Sequence, residues 1–176
     1  SESMFADMII IDQNETFAKY SEAPPTRFVK ELLGSTQCPV LVVPDGFEPI
    51  NKITLLYDGG PASLHAIKMF SYILGNPANL PVEVFTVREA KKKDLHLPGH
   101  KSMREFIKRH FPKAKFITGK GVPEEEIVKF LKTHHKNEIV VLGAYQRSDL
   151  SRWFKISMAD VLMKSLKLPL FIAHNK

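Results

Sequence analysis

Two places in the chain carry residues whose types and spacing suit the binding of a phosphorylated ligand. The stretch Val140-Val141-Leu142-Gly143 is an apolar run ending in glycine, followed by Arg147 and, ten residues later, Ser157. A strand that passes through a glycine turn into a helix is a common seat for phosphate. Bare backbone can approach the anion, the first N–H groups of the helix point at it, and a basic or hydroxyl side chain completes the shell. The second place is Asp58-Gly59-Gly60-Pro61, where an acid closes another apolar run. Its carboxylate can accept a hydrogen bond from a ribose or a base, or it can cap the helix that Pro61 opens.

The turn after Gly143 is poorly equipped for the first of these tasks. No glycine follows Gly143 on the way into the expected helix, although a phosphate loop normally relies on several. A residue with a Cβ costs about 1–2 kcal/mol at left-handed backbone angles, and a β-branched side chain also fills the space that phosphate oxygens would occupy. Arg147, Arg152 and Ser157 still offer charge and a hydroxyl. The expectation is a vestigial anion site, with an ordinary strand-to-helix connection packed by its own side chains.

No other group forms a catalytic or metal-binding set. His134 and His135 are adjacent on an expected helix, so they point in different directions and lack the i, i+4 spacing of a helical zinc pair. His96 and His100 fall in an expected loop without neighbouring cysteines or acids. Cys38, the one cysteine, precedes Pro39 at the start of a strand and reads as a packing residue. The sequence therefore predicts no enzyme activity, no resident metal and no catalytic residue.

These residues are carried by alternating strands and helices. Lys52–Tyr57, Val82–Val87, Ala114–Thr118, Glu138–Leu142 and Leu168–Ala173 read as strands. Helices are expected from Pro61 to about Leu74, over Met103–His110, from Pro123, and from near Ile156 or Ser157. The acids Glu124, Glu125 and Glu126 suit the positive end of the third helix. Five strands alternating with four helices, joined by right-handed crossovers, give a doubly wound open sheet of α/β class. In such sheets ligands bind beyond the carboxyl ends of the strands, which places Asp58, Val87 and Gly143 around one crevice. Leu168–Ala173 is expected to be the edge strand of this unit, where Pro169 removes no ladder bond.

The chain also repeats itself at an offset of 130 residues. Asp7–Ile11 falls on Asn137–Val141, Leu32-Leu33 on Leu162-Met163, and Gln37–Val43 on Lys167–Ala173, without a gap. On this alignment Gln13 and Thr16 correspond to Gly143 and Gln146. A period this long means tandem domains rather than a solenoid. Residues 1–45 are then the strand-helix-strand end of a first copy, 46–51 a linker and 52–176 a complete second copy, with roughly 85 residues of the first copy expected upstream by the repeat arithmetic.

Asp58-Gly59-Gly60 with Ser63, Val140–Gly143 leading to Arg147-Ser148, Leu150-Ser151-Arg152 and Ser157, and the closing Leu168-Pro169-Leu170-Phe171-Ile172 together resemble the universal stress protein family. The resemblance covers Lys52 to His174, and Asp7 to Val43 is similar to the end of a preceding copy. It implies a five-stranded sheet of order 3-2-1-4-5, frequent dimerisation through the last strand, and membership of either an ATP-binding or a non-binding group. The binding group carries Gly-x-x-Gly, nine residues, then Gly-Ser or Gly-Thr. Here only Gly143 and Ser157 match, since Gln146 and Ile156 replace the other two glycines. The resemblance thus implies ATP or ADP as the ligand of a site formed by Asp58, Val87, Gly143, Arg147 and Ser157, in degenerate form.

Two further expectations concern partners. Val40–Val43 and Leu170–Ala173 are apolar strands at equivalent places in the two copies, and pairing them across a pseudo-twofold axis within the chain would bury both. Homo-oligomers are expected in addition, because a partial first copy exposes apolar surface. From Arg88 to Lys120 the chain has eleven Lys or Arg against three acids, and fourteen against sixteen elsewhere. Lys91-Lys92-Lys93, Arg104, Lys108, Arg109 and Lys113 can attract a polyanion, but no known nucleic-acid motif accompanies them, and a solvated face is the plainer reading. At 176 residues with a single cysteine and no apolar run near the roughly 20 residues of a membrane span, the chain reads as a cytoplasmic protein with no membrane partner. The sequence therefore points to a non-enzymatic stress protein that works by association. A nucleotide-binding stress sensor and a basic polyanion-binding module are its alternatives.

Overall fold

A computed structural model describes residues 4–46, 48–88, 100–133, 137–143 and 158–173. Seven strands and five helices follow in the order β1 (Ile9–Asp12), α1 (Arg27–Ser35), β2 (Val40–Val43), β3 (Lys52–Leu56), α2 (Pro61–Ile73), β4 (Val82–Arg88), α3 (His100–His110), β5 (Lys115–Lys120), α4 (Pro123–Thr133), β6 (Glu138–Gly143), α5 (Met158–Ser165) and β7 (Leu170–Ala173). One sheet contains all seven strands, in the order β1-β2-β7-β6-β3-β4-β5.

The last five strands in that row are the expected doubly wound unit, in the expected 3-2-1-4-5 order. Its strands are parallel throughout; β3, β6 and β7 are buried on both faces, which fits their largely apolar runs, whereas the edge strand β5 is exposed or half-buried. On one face Ile53, Leu55, Tyr57, Val84, Ile139 and Val141 pack against α2 and α3. On the other, Leu56, Phe85, Val87, Val140 and Leu142 pack against α4 and α5, with Val29 and Leu33 of α1 continuing that layer. α3 begins at His100, three residues before the expected Met103, so His100 is helical rather than in a loop.

The strands β1 and β2 extend the sheet past the unit. β2 pairs with β7 antiparallel, Val40 to Ile172, Leu41 to Phe171 and Val42 to Leu170. Positions 41 and 171 are equivalent in the repeat, so the pseudo-twofold axis passes between them. The helices obey the same relation: Lys30 of α1 and Asp160 of α5, also 130 residues apart, lie 3.9 Å from each other. β7 is consequently an edge only of its own unit and an interior strand of the whole sheet. Pro169 is tolerated because it lies just before the ladder and its carbonyl accepts from Val140 N–H at 3.0 Å, as Pro39 accepts from Ile9 at 2.9 Å.

The ungapped alignment slips by one residue in β1. Ile9 pairs with Val40 and Asp12 with Val43, whereas Val140 pairs with Leu170 and Gly143 with Ala173. Asp12, not Gln13, is therefore the structural counterpart of Gly143. The side chains explain the shift, because Ile9 and Ile11 pack into the same layer as Val140 and Leu142. A slip of one position would turn them to the opposite face. Ile10 is turned to that opposite face and is 64% exposed.

Candidate functional site

The crevice forms where β6, β3 and β4 end side by side. Asp58 follows β3, and its Oδ1 accepts from Gly60 N–H at 2.8 Å and from the Ser63 hydroxyl at 2.6 Å. Gly59 sits at φ +83°, a left-handed turn conformation that favours glycine. Together these contacts tie the strand end to the first turn of α2, whose N-cap is Gly60 and whose first residue is Pro61. Asp58 thus closes the turn onto Gly60 and the Ser63 hydroxyl rather than capping the helix, since the N-cap is Gly60 and no side chain accepts a helical N–H there. Both bonds use Oδ1, and Oδ2 takes part in neither.

Gly143 has a packing reason to be glycine. A Cβ built on it would stand 2.4 Å from the Ala62 carbonyl carbon and 2.7 Å from Ser63 N. The first turn of α2 therefore lies directly on β6, an approach that any side chain would block. Val87 reaches the crevice only through its backbone. Its side chain is buried in the core beneath α4, and its strand neighbour on β5 is Gly119. Asp58, Val87 and Gly143 are brought to the ends of three adjacent strands, as expected. Arg147 and Ser157 lie outside the described residues, as do Gln146, Arg152 and Ile156.

The corresponding place in the first copy is acidic. Asp12 accepts from Asn14 N–H at 2.7 Å, and Asp45 accepts from the Asn14 side chain at 3.0 Å. The contact with Asp12 holds the Asp45 carboxyl above the usual carboxylate range. Two acids here repel phosphate rather than cradle it.

A charged cluster that the sequence reading did not pick out lies at the opposite, amino end of the sheet. Lys52 Nζ, almost wholly buried, stands 2.9 Å from Glu83 and 3.3 Å from Glu138 Oε2, and 5.2 Å from the Phe130 ring centroid. Thr54 donates its hydroxyl to the same Glu138 oxygen. Glu138 Oε1 has no hydrogen-bond partner among the described residues. Burial is the main cause holding the Glu138 carboxyl above its usual range, opposed by the Thr54 hydrogen bond and Lys52. The available signal was periodicity: Lys52 and Thr54 alternate with apolar residues on the face that packs under α4. With two carboxylates on one ammonium, the cluster holds three strand starts together and faces away from the crevice. Among the described residues no three His, Cys, Asp or Glu side chains converge as metal ligands would, and no helix is long and apolar enough to cross a membrane.

No family model matches the chain. It is 21% identical over 165 residues to a universal stress protein of Synechocystis, covering 93% of this chain and 56% of that protein, so the chain spans about half the length of the curated relative it matches. A universal stress protein from Archaeoglobus fulgidus superposes with a TM-score of 0.64 at 12% identity, over 96% of this chain and 61% of that one. A universal stress protein solved in complex with cAMP superposes with a TM-score of 0.53 at 13% identity, over 73% of this chain and the whole of its own.

Proposed function

We propose, for a chain that resembles the universal stress proteins in sequence and shares their fold, a non-enzymatic role in stress response exercised through association with other polypeptides. The observation that carries this reading is the seat of α2 on Gly143. The glycine that made the strand end look like a phosphate turn is required by helix packing, and the nearby acid is engaged in closing the same turn. With Gln146 and Ile156 in place of glycines, the crevice is a degenerate nucleotide site.

β2 and β7 already pair with each other, so association between chains falls to another surface. The outer side of β1 is an edge of the sheet, with Ile10 exposed beside it. Such an edge is prone to strand addition. A buried, unpaired Cys38 fits a reducing compartment such as the cytoplasm.

A second reading is adenine-nucleotide sensing, favoured by the structural neighbour that holds cAMP. Asp58, Val87 and Gly143 would then contact the nucleotide, with Arg147 and Ser157 toward its phosphates. Titration calorimetry with ATP and magnesium separates the two. Association alone predicts no saturable heat at micromolar ATP, whereas micromolar affinity abolished by Asp58→Ala would establish the second reading.

A further inference from the structure

The basic segment acquires a pattern in three dimensions that its sequence does not display. Between residues 100 and 120 there are seven Lys or Arg and one acid, Glu105. Lys101, Arg104 and Lys108 are exposed along one side of α3, and Lys115 is exposed on β5, an edge of the sheet. None of these four forms an ion pair among the described residues. Aromatic rings lie on both flanks of α3. The Arg104 guanidinium lies 4.3 Å from the Phe116 ring centroid. Across α3, Tyr72 meets His110 at 5.6 Å, His110 meets Phe106 at 4.6 Å, and Lys68 Nζ stands 5.8 Å from the Tyr72 ring. Tyr72 is 60% exposed.

We propose that the face formed by α3, the end of α2 and β5 binds single-stranded nucleic acid. Uncompensated cations on one face draw in a phosphate backbone by counterion release. The exposed Tyr72 ring, across α3 from these cations, gives unpaired bases a surface to stack on, without sequence preference. Inorganic polyphosphate would use the cations but gain nothing from Tyr72. A duplex would keep its bases stacked internally, so Tyr72 would add nothing to its binding. This surface is separate from the crevice, so the inference stands independently of any nucleotide bound there.

Fluorescence anisotropy with labelled oligo(U) and oligo(dT) of twenty nucleotides tests the proposal, with inorganic polyphosphate as competitor. The expected result is saturable binding at low salt that weakens with a log–log slope of about −2 to −3, corresponding to roughly three or four neutralised phosphates. Changing Lys101, Arg104 and Lys108 together to Ala should raise Kd at least about tenfold and flatten that slope. Tyr72→Ala should raise Kd for the oligonucleotides about fivefold or more and leave polyphosphate binding unchanged. All four positions are exposed, so circular dichroism should show folded variants. Failure to bind either oligonucleotide, binding insensitive to salt, or equal binding by the wild type and Tyr72→Ala would each overturn the proposal.

Discussion

Leu41 and Phe171 stand opposite each other in the antiparallel pairing of β2 with β7, at positions 130 residues apart and equivalent in the internal repeat. Each is flanked by the other's counterparts, Val40 against Ile172 and Val42 against Leu170. The chain thus contains, within one polypeptide, a junction of the kind that two copies of a domain would form between them. Phe171 is fully buried and its ring meets Phe70 of α2 edge-on at 5.3 Å, so the junction is also wired into the core of the complete unit. Phe171→Ala should cost about 3–5 kcal/mol, the range for a large aromatic removed from a core. Urea denaturation would show it as a lower midpoint at unchanged slope.

Glycine chemistry distinguishes a packing role from a ligand role. Gly143→Ala should destabilise the chain by about 1–3 kcal/mol or more, because the added methyl meets backbone rather than a yielding side chain. Gly34→Ala is the control: nothing lies within 4 Å of the new atom and the site is helical, so a gain of up to about 1 kcal/mol is expected. Thermal melts of both variants check the contrast. If Gly143→Ala left the melting temperature unchanged, the close approach of α2 to β6 would be wrong.

The buried cluster makes stability depend on pH. In the unfolded chain Glu138 ionises in the ordinary carboxylate range, whereas in the fold burial holds its proton to higher pH. Across that window the folded state binds more protons than the unfolded one, so this group's contribution to stability falls as pH rises. Glu138→Gln should remove that part of the decline, measured by denaturation from pH 4 to 8. Lys52→Met should instead destabilise the chain at neutral pH by about 3–5 kcal/mol, since it leaves buried carboxylates without their partner, and the double variant should recover part of the loss.

Much of this architecture was legible in the sequence because the signals were local. Glycine and proline punctuation marked β3 to α2, the acids at 124–126 marked α4, and the apolar runs marked a parallel sheet. The pairing of 40–43 with 170–173 followed from the repeat. What escaped depended on tertiary context. The one-residue slip in β1 is set by which layer Ile9 and Ile11 enter, which an ungapped alignment cannot weigh. Lys52, Glu83 and Glu138 look like solvated strand ends until three strands bring them together under Phe130. Gly143 reads the same in sequence whether a phosphate or a helix lies on it, and Ala62 decides the matter only in space.

Association through the open side of β1 predicts a concentration-dependent equilibrium. Ile10→Lys places a charge on that edge strand, a device that blocks strand addition. Sedimentation velocity should show larger species for the wild type at rising concentration and monomer for the variant. Wild-type chain that remains monomeric at high concentration would contradict self-association by this route.

The account rests on a crevice whose glycine and acid serve the fold rather than a nucleotide, and native mass spectrometry of the purified chain tests this most directly. The expected spectrum is the bare polypeptide mass, unchanged after incubation with ATP, ADP or cAMP. A one-to-one adenine-nucleotide adduct that survives purification and disappears in Asp58→Ala would contradict it.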